Sequence, residues 1–292
     1  KAAYILRKLN ENGYEAYVVG GCVRDAILGR KAMDWDITTS AKPEQVKKIF
    51  RRTIDTGIEH GTVTVMIEKE GFEVTTYRLD GEYEDSRHPK EVTFTGNLTD
   101  DLARRDFTIN AMAYNPKDGL VDAFSGMKDL QEKCIRCVGS PTERFTEDAL
   151  RMLRAVRFAA QLDFSIDDAT KDAISRLAGN LKKISAERIH TELNKLLLSN
   201  HPERIMTAYE TGITNVVLPE FDEMIKTEQN HPHHAYSVGE HCIRSLCAIR
   251  EDEEFATLEE RWKSALCWTM LLHDSGKTVC KTTDEKGIDH FY

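Results

Sequence analysis

No stretch of the 292-residue sequence is apolar for the roughly 20 residues a membrane-spanning helix takes, so no membrane role is expected. The opening Lys1-Ala2-Ala3-Tyr4-Ile5-Leu6-Arg7-Lys8-Leu9 is too charged for a secretory signal. The seven cysteines are odd in number and dispersed, which fits reduced thiols in a cytoplasmic protein better than a disulfide framework. Cationic excess is also lacking: 40 Lys and Arg stand against 49 Asp and Glu, a net charge of −9. Any nucleic-acid contact therefore needs a local basic surface. Repeats and low-complexity tracts are absent. What remains, 40% hydrophobic and 30% charged residues, is enough for a real core and excludes a mainly disordered chain.

Ile5, Leu6 and Leu9 recur at helical spacing, and Ala16-Tyr17-Val18-Val19 reads as a strand stopped by Gly20-Gly21. A helix over Val23–Leu28, a strand over Asp34–Thr38 and a helix from Pro43 to Phe50 are expected next. Thr62–Ile67 and Phe72–Tyr77 alternate as strands, joined by a turn around Gly71. Residues 80–91 read as a mobile loop. Beyond about residue 146 the pattern is helical, with segments near 168–178, 186–199 and 202–211, and a further block begins near His231. The expected division is 1–140, 141–227 and 228–292, the last block ending inside a domain.

Several constellations carry chemistry. In Asp34-x-Asp36, residues two apart on a strand share a face, and converging carboxylates suit Mg²⁺ together with substrate phosphates. Upstream, Gly20-Gly21-Cys22-Val23-Arg24-Asp25 offers backbone N–H groups and the fixed charge of Arg24 to an anion. In Arg104-Arg105-Asp106-Phe107-Thr108-Ile109-Asn110, Arg105, Asp106 and Asn110 could hold phosphate and ribose, or could form a helix start with an ion pair. Glu147-Asp148-Ala149-Leu150-Arg151 continues to Arg154 and Arg157, a basic stripe if helical, with Asp148 and Arg151 neighbours on one helix. Near the end, His241, His273, Asp274 and Lys277, with His233, His234 and Glu240 nearby, form the first parts of a metal site. Cys134-Ile135-Arg136-Cys137 has metal-pair spacing but no second pair to complete a site.

In order, these motifs, with His60-Gly61-Thr62-Val63 and Glu187-Arg188-Ile189-x-x-Glu192-Leu193, resemble the class II tRNA nucleotidyltransferases over residues 1–225. The resemblance implies an α+β chain: a polymerase-β-like nucleotidyltransferase head with a small mixed sheet, then an all-helical neck and body. It implies two Mg²⁺ ions on Asp34 and Asp36, with Glu73 nominated as the third carboxylate. Asp106 is implied near the ribose, Arg154 and Arg157 near the triphosphate, and Asp148 with Arg151 at the incoming base. The implied partners are the tRNA 3′ end, CTP and ATP. The alternatives are an A-adding enzyme or a poly(A) polymerase. The loop Gly81–Pro89 favours full CCA or A addition. Leu271-Leu272-His273-Asp274-Ser275-Gly276-Lys277 resembles HD domains, implying a partial helical HD domain with a second divalent metal on His241, His273 and Asp274, and a metal-dependent phosphohydrolase as the reading from another class.

Overall fold

A computed structural model describes residues 1–32, 34–81, 92–232 and 234–292. The chain forms two compact units, Lys1–Asp148 and Ala149–Tyr292.

In the first unit, helix α1 (Ala2–Glu11) buries Ile5, Leu6 and Leu9, the stripe its spacing predicts. Strand β1 (Ala16–Val19) is buried throughout. It leads through Gly20 into α2 (Gly21–Ile27), which begins two residues earlier than expected. Next come β2 (Ile37–Thr39), α3 (Pro43–Ile49) with proline in its first turn, β3 (Thr53–Gly57), β4 (Thr62–Ile67) and β5 (Glu70–Thr76). Strands β6 (Arg78–Asp80) and β7 (Val92–Phe94) pair with each other. Helix α4 (Leu98–Ala103) is capped by the Asn97 side chain, and β8 (Ala113–Asn115), β9 (Gly119–Val121), α5 (Gly126–Gln131) and α6 (Pro141–Glu147) follow.

Among the described residues the main sheet is mixed and has seven strands, in the order β3-β4-β5-β2-β1-β8-β9. Its one parallel pairing among the registered pairs is β2 with β5, where Ile37 faces Val74. On the other side of β2, Ile37 faces Val18 of β1. Two sequence expectations are corrected. The second strand starts at Ile37 rather than Asp34, because β1 ends at Val19 and Gly20 turns away with φ +83°. Only the Asp36 carbonyl still accepts from Val19 N–H, at 3.0 Å. Gly71 lies inside β5 opposite Met66, and the turn is at Glu68, φ +59°. A Cβ on Gly71 would stand 2.9 Å from Thr64 Cγ2, so close cross-strand packing is what that glycine permits.

The second unit is nearly all helix: α7 (Leu150–Leu162), α8 (Asp168–Leu177), α9 (Ala186–Leu197), α10 (Ile205–Glu210), α11 (Ile213–Val217), α12 (Pro219–Lys226), α13 (Val238–Ala248), α14 (Glu253–Thr257), α15 (Glu260–Leu272) and α16 (Lys277–Cys280). A small hairpin pairs Lys281–Thr283 with Asp289–Phe291. Met224, Val238 and Cys242 form a core against Leu272. Gly239 lets α13 approach α12, since a Cβ there would meet the Ile225 backbone at 2.7 Å. The expected helix through Asp148 is broken: α6 ends at Glu147, Asp148 is extended with φ −138°, and α7 starts at Leu150. No helix of the described residues is long and apolar enough to cross a membrane.

Candidate active site and a second polar cluster

Two motifs about 80 residues apart in sequence meet in the first unit. Arg24, buried, donates from Nη1 to Asn110 Oδ1 at 2.7 Å and from Nε to Asp25 Oδ1 at 2.9 Å. Asn110 Nδ2 donates in turn to Asp106 Oδ1 at 3.1 Å, which also accepts from Phe107 N–H at 2.8 Å. Gly20 closes over this network. A Cβ there would lie 3.0 Å from Arg105 Nη1, and its φ of +83° is itself strained for any other residue. Arg104 and Arg105 both pair with Asp101, at 2.8 and 3.7 Å, and Thr38 Oγ1 donates to Asp101 at 3.0 Å. Burial acts to raise the Asp101 carboxyl, but the two guanidiniums outweigh it and hold it below the usual range. Asp101 was missed in the sequence, although its i, i+3 and i, i+4 spacing to Arg104 and Arg105 was the signal.

Asp34, Asp36 and Glu73 line one cavity of about 540 Å³ with Trp35 and Gly71. The sheet places Asp36 beside Glu73: Asp36 precedes Ile37 and Glu73 precedes Val74, the residues facing each other across the parallel pair. Withdrawal from water raises the Asp36 carboxyl; Arg105 opposes this, and Asp34 adds to it. Glu73 is raised by burial and by repulsion from Asp36 and Asp34. Three hard oxygen donors that repel one another and face a cavity match the chemistry of Mg²⁺.

The remaining candidates divide between the units. Asp148 ends the first, and Arg151, Arg154 and Arg157 sit on α7 of the second. Arg154 lies over the Phe158 ring at 5.4 Å. Arg157 is buried: Nε donates to Glu192 Oε2 at 2.6 Å, Nη1 donates to Gln161 at 2.8 Å, and the guanidinium lies 3.8 Å over Phe158. This gives Glu192 of the Glu187–Leu193 motif a packing role that its sequence did not reveal.

In the second unit the donor atoms of His241, His273 and Asp274 lie within 4.8 Å of one another. Asp274 Oδ2 stands 3.8 Å from His241 Nε2, 3.5 Å from His273 Nε2 and 2.8 Å from Lys277 Nζ. His273 Nδ1 is 3.0 Å from the Met270 carbonyl. A proton on Nδ1 satisfies that carbonyl and leaves the Nε2 lone pair toward the cluster. The Cys242 thiol, 3.7 Å from His273 Nδ1, is pushed up to about 11 by burial. His234 packs near His231, whereas His233 and the loop expected over 80–91 fall, the latter from 82 onward, outside the described residues. Cys134 and Cys137 are buried, and none of the seven cysteines forms a disulfide.

A mixed sheet with carboxylates before β2 and within β5 lining one cavity, and an arginine–asparagine–aspartate network in the same unit, is the form of a nucleotidyltransferase head. Residues 16–136 match the poly A polymerase head domain, and residues 163–225 match the probable RNA and SrmB-binding site of polymerase A. The CCA-adding enzyme of Lactiplantibacillus plantarum is 50% identical over 290 residues, covering 98% of this chain and 67% of that protein. The CCA-adding enzyme of Limosilactobacillus reuteri (strain DSM 20016) is 54% identical over 198 residues, 68% of this chain and 49% of that one. Among solved structures, the Bacillus stearothermophilus CCA-adding enzyme in complex with CTP superposes with a TM-score of 0.67 at 32% identity, covering 94% of this chain and 77% of that one. The Thermotoga maritima CCA-adding enzyme complexed with tRNA gives 0.69 at 25%, covering 98% and 63%. The chain belongs to the CCA-adding enzyme family. It spans about half the length of several curated relatives it matches.

Proposed function

We propose that this chain adds C and A to the 3′ end of tRNA, from CTP and ATP, without a nucleic-acid template. The observation that carries the reading is the cluster of Asp34, Asp36 and Glu73 around one cavity. The 3′-hydroxyl oxygen attacks the α-phosphorus, the α–β phosphoanhydride bond breaks, and pyrophosphate leaves in line. Asp34 and Asp36 would hold two Mg²⁺ ions, with Glu73 as third carboxylate, and bound Mg²⁺ would lower the pKa of the hydroxyl and offset the charge of the triphosphate. Arg24 and Arg105 supply fixed positive charge. Asn110 and Asp106, already linked, present a donor and an acceptor to a ribose. Arg154 offers charge to the triphosphate, and the Glu192-bound Arg157 holds α7 in place for it. Gly20 and Gly21 keep side chains out of the phosphate path.

Asp148 and Arg151 would read the incoming base. Cytosine and adenine each present an amino donor beside a ring-nitrogen acceptor, which a carboxylate and a guanidinium complement. Uracil and guanine present the reverse order, leaving groups unmatched at about 1–3 kcal/mol each. The helical stretch 171–204 carries Lys171, Arg176, Lys182, Lys183, Arg188, Lys195 and Arg204 against Asp172, Glu187, Glu192 and Glu203, a local positive excess suited to RNA. Cysteines without disulfides fit a reducing cytoplasm. The test offers three tRNAs, ending before CCA, after the first C and after CC, with each labelled nucleotide and Mg²⁺. Stepwise C, C, A addition is expected, lost in Asp34→Ala and Asp36→Ala. Incorporation of A alone on the CC end would favour the A-adding alternative, and long A tracts a poly(A) polymerase.

A second reading rests on the convergence of His241, His273 and Asp274: an HD-type helical domain holding a divalent metal for phosphoester hydrolysis. Two imidazoles and one carboxylate fit such an ion. Metal content of the purified chain, compared with His273→Ala, tests it.

A further inference from the structure

In the second unit, a groove of about 400 Å³ is bounded by Leu181, Ile184, Ile189, His190, Val217 and Trp268. The His190 and Trp268 rings are stacked, 5.6 Å apart and 11° from parallel. Trp268 Nε1–H donates to Asn194 Oδ1 at 3.2 Å, and Ser264 Oγ donates to the same oxygen at 2.5 Å. The indole plane is therefore held by α9 and α15 together, while His190 is exposed. Lys182 lines the groove and Lys183 follows it; both are exposed, and neither has an ion-pair partner among the described residues. Across 178–191 three cations stand against the single carboxylate Glu187, in a chain of net charge −9.

An apolar slot with a fixed aromatic platform and unpaired lysines at its rim has the chemistry of a single-stranded nucleic-acid site: bases stack on rings while phosphates follow the charge. We propose that this groove receives an unpaired nucleobase of bound RNA, stacked against Trp268 and His190, with its phosphates beside Lys182 and Lys183. The inference rests on the RNA-handling reading above and assigns it a place remote in sequence from the residues of the nucleotide site.

The experiment uses the full chain and tRNA lacking its 3′ CCA. Trp268→Ala is expected to weaken binding on the order of 10-fold, and Trp268→Phe by no more than about 3-fold. Reversing both lysines, Lys182→Glu with Lys183→Glu, should weaken binding and flatten its salt dependence by roughly one to two in log–log slope. tRNA substituted with 4-thiouridine should crosslink to peptides containing Trp268 or His190. If Trp268→Ala does not fold, His190→Ala and the lysine reversals, all at exposed side chains, carry the same comparison. Absence of crosslinks at these peptides, with variants binding within about twofold of the parent, overturns the proposal. A parent that neither binds nor extends tRNA would refute the functional reading instead; one that does both while the variants match it refutes only this groove.

Discussion

Removing Glu192 should unfold the second unit far more easily, because it strands a charge. Arg157 is 6% exposed, Glu192 is 5% exposed, and their 2.6 Å contact joins α7 to α9. Breaking a buried ion pair from one side costs about 3–5 kcal/mol, since the remaining ion keeps its desolvation penalty without its partner. For a unit of roughly 150 residues each kcal/mol moves Tm by about 2–4 °C, so Glu192→Ala should lower it by about 6–20 °C. Trp262 and Trp268 lie in the second unit and Trp35 in the first, so fluorescence melts in a Trp35→Phe background follow the right transition. Replacing both partners, Arg157→Met with Glu192→Leu, should restore most of the loss. The same variants separate packing from chemistry. A role of Arg157 in holding α7 predicts that the double variant recovers nucleotide affinity with stability; direct triphosphate contact predicts that affinity stays lost. A loss below about 1 kcal/mol in Glu192→Ala would refute the electrostatic argument.

Further outcomes are expected. Asp36 has a raised carboxyl in the fold, so the metal-free protein loses stability as pH climbs past the ordinary value of 3.8; Asp36→Asn should therefore raise the metal-free Tm at pH 7 but not below pH about 3.8, and Mg²⁺ should stabilise the parent more than the variant. Identical pH dependence in the two proteins would contradict this. Asp148→Ala or Arg151→Ala should relax base choice more than it lowers triphosphate affinity, measured as incorporation of UTP and GTP against CTP and ATP. His273→Ala should remove the divalent metal held with His241 and Asp274 and any phosphatase activity while sparing nucleotide addition; loss of addition in a folded variant would mean that the two clusters serve one reaction.

What the sequence revealed was local. Ile5, Leu6 and Leu9 specify a helix face, and the alternation over Thr62–Ile67 specifies β4, because both signals lie within one element. The partnership of Arg24 with Asn110 spans 86 residues, and no local pattern encodes it. The stripe Arg151, Arg154, Arg157 suggested a basic surface, yet Arg157 is four residues after buried Leu153 and three before buried Ala160. Its position on the helix thus belongs to the core face, and the periodicity could have said so. The break at Asp148 carries no glycine or proline, so propensity gave no warning of it. The reading of Asp34 and Asp36 as one strand face began the strand too early: β2 starts at Ile37, and Asp36 and Glu73 come to one cavity through the parallel pairing one residue further on.

The strand order β5-β2-β1-β8 also constrains how the chain is made. Strand β1 is complete by Val19, but one of its edges is covered only by β8, beginning at Ala113. A ribosome adding about 5–20 residues per second takes on the order of 5–20 s to supply that cover. During this interval a strand that is buried in the fold, Ala16-Tyr17-Val18-Val19, presents unpaired backbone donors and acceptors to any neighbouring nascent chain. Ribosome-bound chains stalled before Ala113 should therefore be the species that chaperones capture and that aggregates, and chains long enough for β9 to have emerged from the ribosome and joined the sheet should not.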